Sequence, residues 1–215
     1  MTPPRRTRVK ICGMRTVHDI ALGVEAGADA LGVIVAEGPR RVSLADAAAL
    51  GAAIPPLVAM VGVVVNPEPG VAEALRAAGF TLQFSGEETA ATCERMAAGG
   101  AYLKTFHVTP GTMPGAFDEG RFAPYASALC LFDSRVGAAR GGTGVAFAWT
   151  LIEDVAARRP IVVSGGLTPQ NVGECVRTLR PYAVDVRSGV ETDGEKDPEK
   201  MRAFVRAVRE ADAQA

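Results

Sequence analysis

"IVVSGGLTPQNVGECVRTLRPYAVDVRSGV", residues 161–190, contains one complete structural unit. It opens on an apolar run, Ile161–Ser164, turns through two glycines, continues with helical spacing over Pro169–Thr178 and returns as a second apolar run, Ala183–Arg187. Thr168-Pro169 sets a proline in the first turn, where its missing N–H costs nothing. Two strands joined by a helix of this length lie parallel, with the helix packed outside the sheet.

The same alternation extends back to the N-terminus. Strand-like runs occur at Arg8–Cys12, Ala30–Val35, Val58–Val65, Thr81–Phe84, Ala101–Phe106 and Ala128–Asp133. Helical patterns separate them at Val17–Ala26, Leu44–Ala53, Glu68–Ala78, Glu87–Ala98 and Phe147–Ala157, and one more follows at Pro198–Glu210. The Gly/Pro-rich stretch around Met113–Pro124 has the weakest helical pattern. Ser43 stands as an N-cap before Leu44, and Gly27 and Gly79 stand where helices end. Eight strand–helix units in 215 residues leave no room for a second domain. They favour closure into a single (β/α)₈ barrel over residues 8–215, after an extended or disordered tail at 1–7. An open doubly wound sheet is the alternative. Against it, the first turn "CGMRT" has none of the G-x-G-x-x-G glycines that such folds use for dinucleotides.

Composition narrows the function classes. The chain is 48% apolar and 22% charged, with a net charge of −1. That balance gives no electrostatic case for nucleic acid or an anionic membrane. No apolar run reaches spanning length, and "MTPPRRTR" leads into no signal-peptide core, so a cytoplasmic protein is expected. Cys12, Cys93, Cys130 and Cys175 are far apart, with no C-x-x-C and no Cys/His cluster, which excludes the usual disulfide and zinc patterns. No metal or other cofactor is expected. With two histidines in the chain, proton chemistry falls to carboxylates, a thiol or a lysine.

In a barrel the active site lies at the C-terminal ends of the strands. Several strands carry polar residues there: Lys10 and Cys12 on one face of the first, Gln83 and Ser85 at the fourth, Lys104 in the fifth, Asp133 ending the sixth, Asp185 and Arg187 on one face of the eighth. Any one of these reads equally as a satisfied core group. Polar groups at corresponding heights on five strands read as a convergent site. Glycines follow the last three strands in "RGGTG" (Arg140–Gly144), "SGGLTPQN" (Ser164–Asn171) and "RSGVE" (Arg187–Glu191). Such loops bring backbone N–H groups close to an anion, and the loops after strands 7 and 8 are the usual phosphate position. A small phosphorylated substrate is the expected partner.

The motifs taken together resemble a known family. "VKICGM", "GADALGVIV" with "PRRVS", "VGVVVN", "LQFSGEE", "LFDS" with "GGTG", "SGGLTPQNV" and "VDVRSGVE" run in order from Val9 to about Val208. They are similar to the phosphoribosylanthranilate isomerases of tryptophan biosynthesis. The resemblance implies a (β/α)₈ barrel, monomeric or dimeric, and an Amadori rearrangement of a phosphorylated aminosugar without metal or organic cofactor. By motif, Cys12 would be the general base and Asp133 the general acid, with Lys10 favouring the thiolate by its charge. Gly142, Thr143, Gly165, Gly166, Ser188 and Gly189 would hold the phosphate. Arg40 would lie near the anthranilate carboxylate and Asp185 near the ribose hydroxyls; Lys10, Gln83 and Arg187 complete the candidate substrate-binding set.

The chain departs from the family pattern at several positions. "VAEGPR" is shorter than the common loop with "KSPR" and lacks its aromatic residue. Ser85 replaces the histidine of "LQLHGDE", Ala148 the acidic residue of "FDW", and Arg187 a small residue of "DVSSGVE". The departures leave two further readings open: an isomerase acting on a different aglycone, and a non-catalytic phosphate-ligand-binding paralogue.

Overall fold

The first unit shows how the chain builds its repeat. In the computed structural model, which describes residues 6–113, 115–134 and 148–214, β1 (Arg8–Cys12) leads into α1 (Val17–Ala26). Thr16 caps that helix by accepting from Asp19 N while the Asp19 carboxylate accepts from Thr16 N, a reciprocal capping box. Gly27, at φ 87°, ends it in the left-handed conformation that a glycine adopts without strain.

The remaining elements follow in order: β2 (Ala30–Ile34), α2 (Leu44–Ala52), β3 (Ala59–Val64), α3 (Pro69–Ala77), β4 (Thr81–Phe84), α4 (Ala90–Ala97), β5 (Tyr102–Val108), α5 (Glu119–Phe122), β6 (Ala128–Ser134), α6 (Glu153–Arg158), β7 (Ile161–Val163), α7 (Val172–Leu179), β8 (Ala183–Val186) and α8 (Pro198–Asp212). A small antiparallel pair, β9 (Glu191–Thr192) and β10 (Glu195–Lys196), stands between β8 and α8. Strands β1 to β8 are parallel neighbours in sequence order, and β8 pairs back onto β1, with Lys10 opposite Asp185. The barrel is closed, as the alternation of apolar runs predicts.

Two layers of apolar packing follow from closure. Inside, Val61, Leu103, Leu131, Val162 and Ala183 fill the lower barrel. Outside, the other face of each strand meets the helices in a larger core. Helix α8 shows the pattern: Met201, Phe204, Val205, Val208 and Ala211 are buried at three- and four-residue spacing. Its N-terminus is capped by Asp197, whose carboxylate accepts from Glu199 N at 2.9 Å and Lys200 N at 3.1 Å. Of residues 1–7, Arg6 and Thr7 are described. Thr7 is buried and donates N–H and O–H to the Asp212 carboxylate at 2.8 Å each, joining the chain's start to the end of α8.

Two expectations change. Helix α7 begins at Val172, not Pro169. Asn171 Oδ1 accepts from Thr168 N at 2.8 Å and Asn171 Nδ2 donates to Gly166 O at 2.9 Å, so a side-chain-built turn occupies the segment first. The Gly/Pro-rich stretch before β6 yields only the single turn α5 and a short 3₁₀ turn, Ala123–Tyr125.

Candidate active site

The mouth of the barrel encloses a cavity of about 530 Å³ at the C-terminal strand ends. Its floor is built by closure of β8 onto β1. Lys10 Nζ donates to Asp185 Oδ1 at 2.8 Å, and both side chains are buried. Ser164, at the end of β7, donates to the second Asp185 oxygen at 3.3 Å. Burial works against the Lys10 charge, yet the Asp185 carboxylate and the Cys12 sulfur beside it hold its pKa above the ordinary value.

Cys12 lies one strand-repeat above Lys10 and lines the cavity. Its room comes from Gly32 on β2: a methyl group there would stand 2.7 Å from Cys12 Sγ and 3.2 Å from Lys10 Cε. A glycine in the middle of a strand marks such a close approach. Burial pushes the Cys12 thiol up, and the Lys10 charge pulls it down less strongly. The expectation that Lys10 favours the thiolate holds in direction and is outweighed by burial. The Lys10 ammonium is also shared with Asp185.

Asp133 reaches the cavity from β6. Burial, then the Asp185 charge, push its carboxyl up to about 7, against the pull of Arg187 and Lys10 and a hydrogen bond from Ser164. Near neutral pH it is a carboxylic acid as often as a carboxylate, the state a proton donor needs. Gly165, at φ 83°, lies against it: a methyl group there would be 2.8 Å from Asp133 Oδ1 and would collide with Ser134. Gly166, Ser188 and Gly189 also line the cavity. A side chain at Gly189 would run into Leu167 O, so the loops after β7 and β8 touch there. Gly142 and Thr143 lie outside the described residues.

Arg40 and Arg187 flank Gly13 beneath the cavity rim. Arg40 is buried with all sides of its guanidinium in use. Nη1 donates to Gly13 O at 3.0 Å, Nη2 to Gly194 O, and Nε pairs with Glu191 at 2.9 Å. Lys196 Nζ shares that carboxylate at 2.9 Å and donates to Arg187 O at 3.1 Å. The β9–β10 hairpin is thereby clamped to the loop after β1. Arg187 shares the cavity with Asp185, as strand alternation predicts.

The opposite wall is polar on β4 and β5. Gln83 Nε2 donates to Ser85 Oγ at 3.2 Å and Thr105 Oγ1 at 3.4 Å; the two hydroxyls are 2.9 Å apart. His107 Nε2 donates to Ser85 O at 3.1 Å. An imidazole thus stands on the strand next to Ser85. Lys104 does not join this site. It lies on the outer face of β5, where Nζ pairs with Glu88 at 2.8 Å and donates to Gly86 O at 2.7 Å. Sequence reasoning missed Gly32, Thr105, His107, Glu191 and Lys196. The mid-strand glycine was a usable signal for the first; the sequence does not show which face of β5 turns inward, so it carried none for the next two.

Among the described residues no group of three or more His, Cys, Asp or Glu side chains is placed to hold a metal ion. No described helix is long and apolar enough to cross a membrane.

Comparison with known proteins matches this architecture. Residues 9–207 match the family model described as N-(5'phosphoribosyl)anthranilate (PRA) isomerase. The N-(5'-phosphoribosyl)anthranilate isomerase of Methylibium petroleiphilum is 46% identical over 213 residues, covering 97% of this chain and 96% of the relative. The crystal structure of phosphoribosyl anthranilate isomerase from Thermotoga maritima superposes with a TM-score of 0.81 at 33% identity, over 95% of this chain and 99% of that one. A phosphoribosyl anthranilate isomerase structure in complex with reduced 1-(o-carboxyphenylamino)-1-deoxyribulose 5-phosphate superposes with a TM-score of 0.79 at 33% identity and the same coverage. Matched along nearly its whole length, the chain belongs to the N-(5'-phosphoribosyl)anthranilate isomerase family.

Proposed function

We propose that this isomerase of tryptophan biosynthesis performs the Amadori rearrangement with Asp133 as general acid and Cys12 as general base. The observation that carries the reading is the shared cavity. A carboxyl held up to about 7, a thiol beside a lysine, and the glycine loops of β7 and β8 all open into it. Asp133 gives its proton to the ribose ring oxygen as the C1'–O bond breaks, and the nitrogen lone pair closes the C1'=N⁺ bond. Cys12, as thiolate, takes the proton from C2', and those electrons form the C1'=C2' bond and return the other pair to nitrogen. The resulting enol becomes the ketone when C1' gains a proton and the C2' hydroxyl gives one up, and those two transfers return Cys12 to thiolate and Asp133 to carboxylic acid. One carbon is reduced as its neighbour is oxidised, so electrons balance within the substrate and the step needs no external redox partner.

Gly165, Gly166, Ser188 and Gly189 hold the phosphate by backbone N–H groups, with Gly142 and Thr143 assigned to the same anion. Asp185, fixed by Lys10 and Ser164, faces the ribose hydroxyls. Arg40 takes the substrate carboxylate by exchanging it for Glu191, which Lys196 keeps paired. Arg187 adds a second positive group at the rim. The enzyme acts in the cytoplasm on this small molecule.

The test is incubation of the purified protein with N-(5'-phosphoribosyl)anthranilate, following formation of the aminodeoxyribulose product. Turnover is expected, with Cys12→Ser slower by about 10²–10⁴ because a hydroxyl is a far weaker acid than a thiol. A wild-type chain without turnover defeats the reading, and a fast Cys12→Ser variant shows that another group is the base.

A further inference from the structure

We infer that the side-chain carbonyl of Gln83 is the acceptor for the N–H that joins the substrate's aromatic ring to its sugar. This rests on the proposed isomerase reaction and adds a specificity-determining residue to it. Gln83 lies on β4, lines the cavity and is 5% exposed. Its amide is oriented from one side: Nε2 donates to Ser85 Oγ and Thr105 Oγ1. Its other end, Oε1, is buried and has no hydrogen-bond partner among the described residues. A buried carbonyl left unmatched destabilises the free protein, and such atoms call for a donor from a ligand or water.

The walls of the cavity indicate which donor. The glycine loops of β7 and β8, assigned to the phosphate in the proposed reaction, line one side. Ile34, Ala36, Val63 and Val65, from β2 and β3 and the residues just after them, give the apolar surface that an aromatic ring needs. Strand β4 adjoins β3 and lies across the barrel from β8, the strand of Asp185. The group that reaches Gln83 is therefore the joint between ring and sugar, whereas the hydroxyls lie toward Asp185. That joint is a nitrogen carrying one hydrogen, and it becomes cationic when the ribose ring opens. A fixed carbonyl dipole aimed there strengthens as the charge develops, which favours the transition state over the bound substrate.

The test is Gln83→Met, which keeps the length of the side chain and removes both polar ends. The unliganded variant is expected to melt at or above the wild-type temperature. Its kcat/KM should fall roughly 10- to 100-fold, the loss of a hydrogen bond to a charged group, with most of the loss in kcat. Inhibition by inorganic phosphate should be unchanged. Gln83→Leu serves as the second variant should the methionine protein not fold. If wild-type protein turns over and the variant keeps kcat/KM within about twofold, the inference fails and the isomerase reading stands. A lower melting temperature with unchanged kinetics makes the amide structural and also overturns it. Absence of turnover by the wild-type chain defeats both.

Discussion

Asp133 holds its proton more tightly in the folded protein, at about 7, than a carboxyl does in an unfolded chain. By linkage, stability then falls as pH rises from about 4 to about 7 and is level above that. Asp133→Asn, which stays neutral, should melt higher than wild type at pH 8, with the gap closing as pH falls toward 4, while activity drops by about 10²–10⁴. Thermal melts across this range check the sign: a variant that gains nothing at pH 8 refutes the raised carboxyl. In the proposed mechanism the same groups set the rate profile. The reactive form, thiolate with carboxylic acid, is a minor arrangement of the singly protonated site, and its share is constant between the two ionisations. kcat/KM should therefore rise with pH through about 7, stay level, and fall only where the raised Cys12 thiol ionises. Arg187 holds the Asp133 carboxyl down, so Arg187→Ser should move the acid limb to higher pH; an unmoved limb would assign it to another group. That Cys12 and Asp133 line the cavity was legible in the sequence because polar residues at the ends of buried strands need a reason. The balance around Lys10 was not. Its partner Asp185 is 175 residues away and meets it only when β8 closes onto β1.

At the scale of elements, Glu88 joins three strand ends. Its carboxylate accepts from Asn66 N at 2.6 Å after β3, from Gly86 N at 3.0 Å after β4 and from Lys104 Nζ at 2.8 Å on β5. The polar wall of Gln83 and Ser85 hangs from this junction. Glu88→Gln leaves the Lys104 charge buried and unpaired, and should cost about 3–5 kcal/mol. Adding Lys104→Met should restore part of that loss, which a denaturation double-mutant cycle measures; additive losses would show that the two do not act as a pair. Lys104 also shows why strand polarity alone misleads in a barrel. Both faces of β5 are covered, one by the barrel interior and one by helices, so a polar residue does not announce its side. The structure does: Leu103 lies in the inner cluster, hence by parity Thr105 and His107 face inward and Lys104 outward. The start of α7 escaped for a different reason. Thr168 and Pro169 are good first-turn residues, but the Asn171 side chain supplies the turn's hydrogen bonds before the helix begins.

For the whole molecule, the strand count and closure were legible because eight buried runs, each followed by a helix, have few ways to cover both faces. What closure brings together was less so, since alternation gives a side chain's face and not its neighbour across the barrel. A ligand held by the β7 and β8 loops should stabilise the entire closed sheet. Inorganic phosphate is expected to raise the melting temperature in proportion to the logarithm of its concentration above Kd and to compete with substrate. A chelator should leave activity unchanged; loss of activity restored by added metal would contradict the proposed chemistry. The clamp on the β9–β10 hairpin has a consequence at longer range. Glu191 serves two cations, Arg40 and Lys196, while Asp185 serves one. With one carboxylate between two cations and Asp133 protonated up to about pH 7, a chain of net charge −1 gathers a positive surplus at its mouth. A substrate bearing a phosphate and a carboxylate is then drawn toward the cavity before it touches anything. Diffusional capture becomes electrostatically guided: kcat/KM should decline steadily as salt shortens the screening length to about 8 Å at 0.15 M, and a flat salt profile would show that capture is unguided.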